Sequence, residues 1–212
     1  MRLKKVKNAK ERVEASKYYV ENPKEHIGKW CEVFGNSNPI HIEIGMGKGR
    51  FIVNMAKTYP NINFIGIEKY DSVMVKALNL LEEMEELPNL RLILFDATEI
   101  KEIFDKDIDR LYLNFSDPWP KSKHQKRRLT SKEFLERYDY IFKCEKEIFQ
   151  KTDNYDFFEF SRQSLSDYGY EIKNLTYDLH NEKLDFINIQ TEYEQKFSGK
   201  GVKINRLEAY KD

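Results

Sequence analysis

The chain has 212 residues with 36 basic and 36 acidic side chains, so it has no net charge to hold a polyanion, and any such affinity must come from where the charges lie. Hydrophobic residues at 40% and aromatics at 14% suffice for a packed core and exclude a wholly disordered chain, and the length suits one α/β domain with appended segments. No run reaches the roughly eighteen apolar residues of a membrane span, the charged N-terminus lacks a signal-peptide core, and neither Cys31 and Cys144 nor the four histidines have metal-ligand spacing; a soluble cytoplasmic protein without membrane, disulfide or metal is expected.

Residues 1–38 read as a basic arm with a short helix and a loop. The first seventeen carry seven cations (Arg2, Lys4, Lys5, Lys7, Lys10, Arg12, Lys17) against Glu11 and Glu14, which fits a solvated tail or a nucleic-acid arm equally well. The turn cluster Gly35-Asn36-Ser37-Asn38-Pro39 ends the arm, and residues 39–212 form the main domain.

From there strands and helices alternate. Ile40–Ile44 is a β-branched run, Arg50–Tyr59 has helical spacing, and Phe64–Ile67 is a second strand. Ser72 is placed to cap a helix whose Val73, Ala77, Leu80, Met84 and Leu87 share a face before Pro88 stops it. Strands at Leu90–Phe95, Arg110–Phe115 and Glu147–Lys151 alternate with helices at Lys132–Phe142 and Tyr155–Tyr168. Strands separated by helices imply a parallel sheet with right-handed crossovers. Past Gly169, two strand-like segments, Tyr170–Tyr177 and Lys203–Tyr210, flank a long polar stretch holding Thr191-Glu192-Tyr193-Glu194, and the last strand is expected to run antiparallel.

Between the first strand and first helix lies Glu43-Ile44-Gly45-Met46-Gly47-Lys48-Gly49. Three alternate glycines let a ligand approach backbone N–H groups at a helix start. The dinucleotide pattern G-x-G-x-x-G would need glycine where Arg50 stands. The form E-x-G-x-G-x-G instead resembles motif I of Rossmann-like S-adenosylmethionine methyltransferases. Glu43 suits a sulfonium cofactor, whose amino-acid end is cationic there; a pyrophosphate would be repelled. Glu68, 23 positions after Gly45 at the next strand end, suits ribose hydroxyls, and Asp96 at the third strand end suits the adenine amino group.

The most specific segment is Phe115-Ser116-Asp117-Pro118-Trp119-Pro120, at the carboxyl end of a buried strand, followed by Lys121, Lys123, Lys126, Arg127 and Arg128 with no acid among them. Prolines stiffen the turn around Asp117. A carboxylate beside a cluster of cations points to chemistry on nucleic acid. Trp119 either stacks on a base or packs the turn; Tyr193 reads as a packing residue.

With HIEIGMGKG, the Gly66-Ile67-Glu68 strand end, Asp96, FSDPWPKSKHQKRR, KTDN at 151–154 and TEYE at 191–194 in order, the chain resembles the bacterial TrmB family of tRNA (guanine-N7)-methyltransferases. The resemblance implies a Rossmann-like methyltransferase fold, S-adenosylmethionine as cofactor and tRNA as partner. It implies methylation of guanine N7 at variable-loop position 46. Glu43, Gly45, Gly47, Gly49, Glu68, Asp96 and Asp117 would line the cofactor site, with Asp117 catalytic. Lys121, Asp153, Thr191, Glu192, Tyr193 and Glu194 would meet the guanosine region, with Asp153 or Glu194 on the guanine edge. Lys123, His124, Gln125, Lys126, Arg127 and Arg128 would touch RNA. Two other readings are a methyltransferase for another nucleic-acid base or a small molecule, an N6-adenine or N4-cytosine enzyme being the kind that would show an NPPY-type tetrad in place of SDPW, and an inactive RNA-binding scaffold.

Overall fold

In the computed structural model, residues 6–183 and 185–212 are described; Arg2, Lys4 and Lys5 of the basic arm lie outside them. The strands β1 (Ile40–Ile44), β2 (Asn63–Glu68), β3 (Leu90–Leu94), β4 (Ile108–Asn114), β5 (Phe142–Thr152), β6 (Glu171–Thr176) and β7 (Asn205–Lys211) form one sheet in the order β3-β2-β1-β4-β5-β7-β6. β3 through β5 pair in parallel, and β7 inserts antiparallel between β5 and β6. Every residue of β1 and β2 is buried, as expected of parallel strands covered on both faces.

Period-two alternation divides the core. Ile42, Ile44, Ile65, Ile67, Leu111, Leu113 and Ile148 face helices α5 (Lys132–Ile141) and α6 (Tyr155–Asp167), together with Trp30 of the short helix α2 (Trp30–Phe34). On the other face Phe64, Leu90, Leu92 and Tyr112 meet α3 (Arg50–Thr58) and α4 (Asp71–Glu82), joined by Val13 of α1 (Ala9–Glu14). The described arm touches both faces: Arg12 donates to Asn79 on α4, and the Trp30 indole donates to the Ile103 carbonyl. Its residues 18–20 pair with Leu92 and cover the free edge of β3. Among the described residues no helix is long and apolar enough to cross a membrane.

Several boundaries differ from the sequence expectation. α4 starts after Tyr70, and the Asp71 side chain, not Ser72, accepts at its first turn; the helix stops at Glu82, so Leu87 is buried from a loop. β5 begins at Phe142 directly after α5, five residues earlier than expected, with a register irregularity opposite Ile108 and Arg110. The polar stretch contains a helix, α7 (Glu192–Ser198), closed by a capping box in which Thr191 Oγ1 accepts from the Glu194 N–H. That Thr-x-x-Glu signal was present in the sequence.

Candidate active site

The β1–α3 turn carries Gly45, Gly47 and Gly49 at φ of 74°, 57° and 77°, a region costly for residues with a Cβ. A Cβ at Gly49 would meet the Ala77 Cβ at 2.5 Å, so this glycine serves packing of α3 against α4. At Gly45 and Gly47 a Cβ would meet nothing within 4 Å, so these two leave open space beside the backbone.

Carboxylates end the neighbouring strands. Glu68 accepts from the Gly47 N–H at 3.0 Å through one oxygen and from the Lys69 and Tyr70 N–H groups at 2.9 and 3.1 Å through the other. Burial raises its pKa, and these three donors oppose the rise. At the end of β3, Asp96 accepts from Thr98 and from the Lys69 ammonium, which outweigh partial burial and hold its carboxyl below the usual value. Glu43 sits on the α3 face of β1 with 2% exposure; one oxygen accepts from Asn114 Nδ2 at 2.9 Å and the other, fully buried, has no partner. Burial pushes its pKa up to about 8, against the pull of Asn114 and of the Lys151 charge.

At the end of β4 the strand stops at Asn114, one residue before the expected Phe115, because Phe115 turns to φ 53°. Trp119 also has positive φ, at 41°. Such angles in bulky residues cost about 1–3 kcal/mol each and persist only where the surroundings impose them. Between them Asp117 is exposed, and its charge is among those that raise the Glu68 pKa. Trp119 is half-buried, with the Arg127 guanidinium 4.9 Å over its ring and His124 edge-on to it at 5.8 Å.

The basic segment forms a 3-10 turn over Ser122–Arg127. Lys121, Lys123, Gln125, Lys126 and Arg127 are exposed and His124 is half-buried. Arg128 departs from its expected place at RNA. Only 7% exposed, it donates to the Pro118 and Trp119 carbonyls and packs against Phe160.

The TEYE segment also divides. Glu192 pairs with Lys48 of the glycine turn, and Arg50 donates to Gln195, so α7 sits against that turn. Tyr193 stacks on Phe197 and donates to Asp153 Oδ2 at 2.9 Å; burial and this bond push its pKa up to about 12. It both packs, as read from sequence, and fixes a candidate substrate carboxylate. Glu194 was expected to be a candidate for the guanine edge. It has no exposed surface, and its two oxygens are taken by Lys151 at 3.0 Å, Asn188 at 2.9 Å, His180 at 3.1 Å and, more distantly, the Thr191 N–H. It braces α7 from inside.

Sequence reasoning missed the residues beneath this brace. Lys151 is buried at the end of β5, hydrogen-bonds Asn188, Ile189 and Glu194, and lies 5.4 Å above the Phe51 ring. Its neighbour across the ladder is Asn114, the partner of Glu43. A lysine or asparagine closing an apolar strand was the available signal. Among the described residues no cluster of His, Cys, Asp and Glu could hold a metal ion.

The family model described as "Putative methyltransferase" matches residues 37–207. A relative from Lachnoclostridium phytofermentans, named tRNA (guanine-N(7)-)-methyltransferase, is 49% identical over 100% of this chain and 99% of its own length. Another of the same name, from Geobacillus sp. strain WCH70, is 53% identical over 98% of this chain and 94% of its own. The chain belongs to the bacterial tRNA (guanine-N7)-methyltransferase family. Membership bears out the resemblance drawn from the glycine, SDPWPK and KTDN segments, and the chain is a methyltransferase. The Rossmann-like methyltransferase fold is likewise found in a solved antibiotic-related methyltransferase, with TM-score 0.63 and 19% identity over 87% of this chain and 92% of that one. It recurs in the 16S rRNA (adenine(1408)-N(1))-methyltransferase of Catenulisporales acidiphilia solved with its cosubstrate SAM, with TM-score 0.59 and 14% identity over 89% and 90%.

Proposed function

We propose that this chain transfers the methyl group of S-adenosylmethionine to N7 of a guanine in tRNA, at variable-loop position 46, in the cytoplasm. The observation that carries the cofactor assignment is the unpartnered, fully buried oxygen of Glu43 beside a glycine turn whose Gly45 and Gly47 leave room against the backbone. A buried carboxylate atom without a donor is costly, and a cationic amino-acid end would satisfy it. Glu68 suits the ribose hydroxyls, Asp96 the adenine edge, and Asp117 closes the site from β4. When bound, the cofactor supplies an electrophilic methyl on a sulfonium.

The chain's residues then align and stabilise. Guanine N7 keeps a free lone pair at neutral pH, so no base is required: a nitrogen–carbon bond forms as the carbon–sulfur bond breaks, a neutral thioether leaves, and the positive charge passes to the purine. The charge of Asp117 favours that cationic purine, and Asp153, held by Tyr193, accepts from the guanine N1–H and amino group. Lys123, Lys126 and Arg127 hold phosphates on the exposed 3-10 turn beside Lys121 at the guanosine region, while the basic N-terminal arm, which packs onto the main domain through Val13, Trp30 and the pairing of residues 18–20 with β3, adds a second basic element.

The deciding experiment incubates the protein with methyl-labelled S-adenosylmethionine and unmodified tRNA, digests the product and separates the nucleosides. Label in 7-methylguanosine is expected, and cleavage of a second, undigested sample at the modified nucleotide is expected to map it to position 46. Label in any other nucleoside, or tRNA binding with no transfer, would overturn the reading.

A further inference from the structure

We infer that Arg128 is a positioning residue for Asp117, holding the strained Ser116–Pro120 turn from inside, and not one of the cations that grip RNA. The inference rests on the proposed reaction for its assay. Arg128 is placed by its backbone before its side chain acts. Its N–H donates to the Gln125 carbonyl and its own carbonyl accepts from the Ser131 N–H, so it is locked at the end of the basic 3-10 turn. From there the guanidinium points inward. Nε donates to the Pro118 carbonyl at 2.9 Å and Nη2 to the Trp119 carbonyl at 3.2 Å, with the Phe160 ring 4.2 Å from its centre and Phe157 at 5.9 Å.

Those two carbonyls belong to the residues that follow Asp117, and one belongs to Trp119, whose φ of 41° needs an external hold. A planar fork flanked by aromatic rings can take two adjacent carbonyls at once; an ammonium is a single point charge and cannot reproduce that geometry. Reaching out to a phosphate would leave both carbonyls unpaired and empty the aromatic slot. The cation run therefore splits in function. Lys121, Lys123, Lys126 and Arg127 are exposed, and Arg128 ties that turn to the catalytic carboxylate, so Asp117 is fixed by the same segment that meets RNA.

The test compares Arg128→Ala, Arg128→Lys and Arg127→Ala with the wild-type chain, measuring tRNA affinity as a function of salt and the single-turnover rate at saturating tRNA and cofactor. For both Arg128 variants the rate at saturation should fall at least about twentyfold, while tRNA affinity stays within about threefold and the slope of log K against log salt is unchanged; lysine should not rescue. Arg127→Ala should instead flatten the slope by up to about 0.7–0.9, the value of one lost phosphate contact. A flattened slope in Arg128→Ala with an unchanged saturated rate would overturn the inference. So would rescue by lysine, or a rate loss that only mirrors a lower folded fraction by circular dichroism. Should Arg128→Ala fail to fold, Arg128→Lys, which keeps the stem and the charge, decides by the same readouts. Failure of the wild-type chain to form 7-methylguanosine would count against the proposed function itself, whereas the variant pattern bears on Arg128 alone.

Discussion

The two turns that face the site solve the same backbone problem by opposite means. The β1–α3 turn needs three left-handed residues and uses glycine at each, so the conformation costs little and the missing side chains leave space at Gly45 and Gly47. The β4 turn needs left-handed backbone at Phe115 and Trp119, uses bulky residues for both, and is held by Arg128 and by two prolines, with the Arg127 guanidinium over the Trp119 ring and His124 edge-on to it. The first turn leaves open space against the main chain, as the proposed cofactor site requires. The second carries side chains that must be aimed, and stores strain to aim them.

That contrast can be broken most severely at Gly49. Gly49→Ala combines a φ of 77° with a 2.5 Å approach to the Ala77 Cβ, and should cost about 3 kcal/mol or more of folding stability, read by urea denaturation. Gly45→Ala has open space and should cost only about 1–2 kcal/mol while cofactor affinity falls; equal losses for the two would show that the glycines do not divide as described.

Within the β4 turn, Asp117→Asn keeps shape but removes charge. Turnover should fall about tenfold to a hundredfold with tRNA affinity nearly intact, and the single-turnover rate of the wild-type chain should stay flat from about pH 6.5 to 8.5 because no proton leaves N7. A tenfold rise per pH unit over that range would point to a proton removed in the rate-limiting step.

Glu43 sharpens the glycine side. Its folded pKa, raised to about 8 from 4.5, means ionisation is disfavoured in the folded protein, so its contribution to stability is fully present below about pH 4.5 and is lost as pH rises towards 8. Glu43→Gln should flatten that decline in a pH series of thermal melts. If a cationic cofactor end pairs with Glu43, binding near pH 7 should release a proton, seen as a buffer-dependent heat in calorimetry; no buffer dependence would remove Glu43 from the cofactor site. The smallest effect is expected from Lys123→Ala combined with Lys126→Ala. Stability should change by less than about 0.5 kcal/mol, since Lys126 is exposed and its partner Glu133 only half-buried, and only the salt slope of tRNA binding should fall.

By itself the sequence determined the alternation of strands and helices, the glycine turn, the carboxylates at three strand ends and the family, because each is a local pattern: period-two or period-3.6 hydrophobicity, residues without a Cβ, and short motifs with fixed spacing. Helix α7 was legible in principle through its capping box but is only seven residues long, with a single aromatic pair, Tyr193 and Phe197, as its apolar pattern. Tertiary structure alone decided which members of a motif face the cleft and which turn inward. Arg127 and Arg128 are chemically alike and adjacent, and Glu192 and Glu194 lie on one short helix. Only the placement of Phe157 and Phe160 on α6, of the Pro118 and Trp119 carbonyls, and of Lys151 at the end of β5 sends one of each pair outward and buries the other. Burial of a charge requires partners that come from distant parts of the chain, and no local pattern announces where those partners will meet.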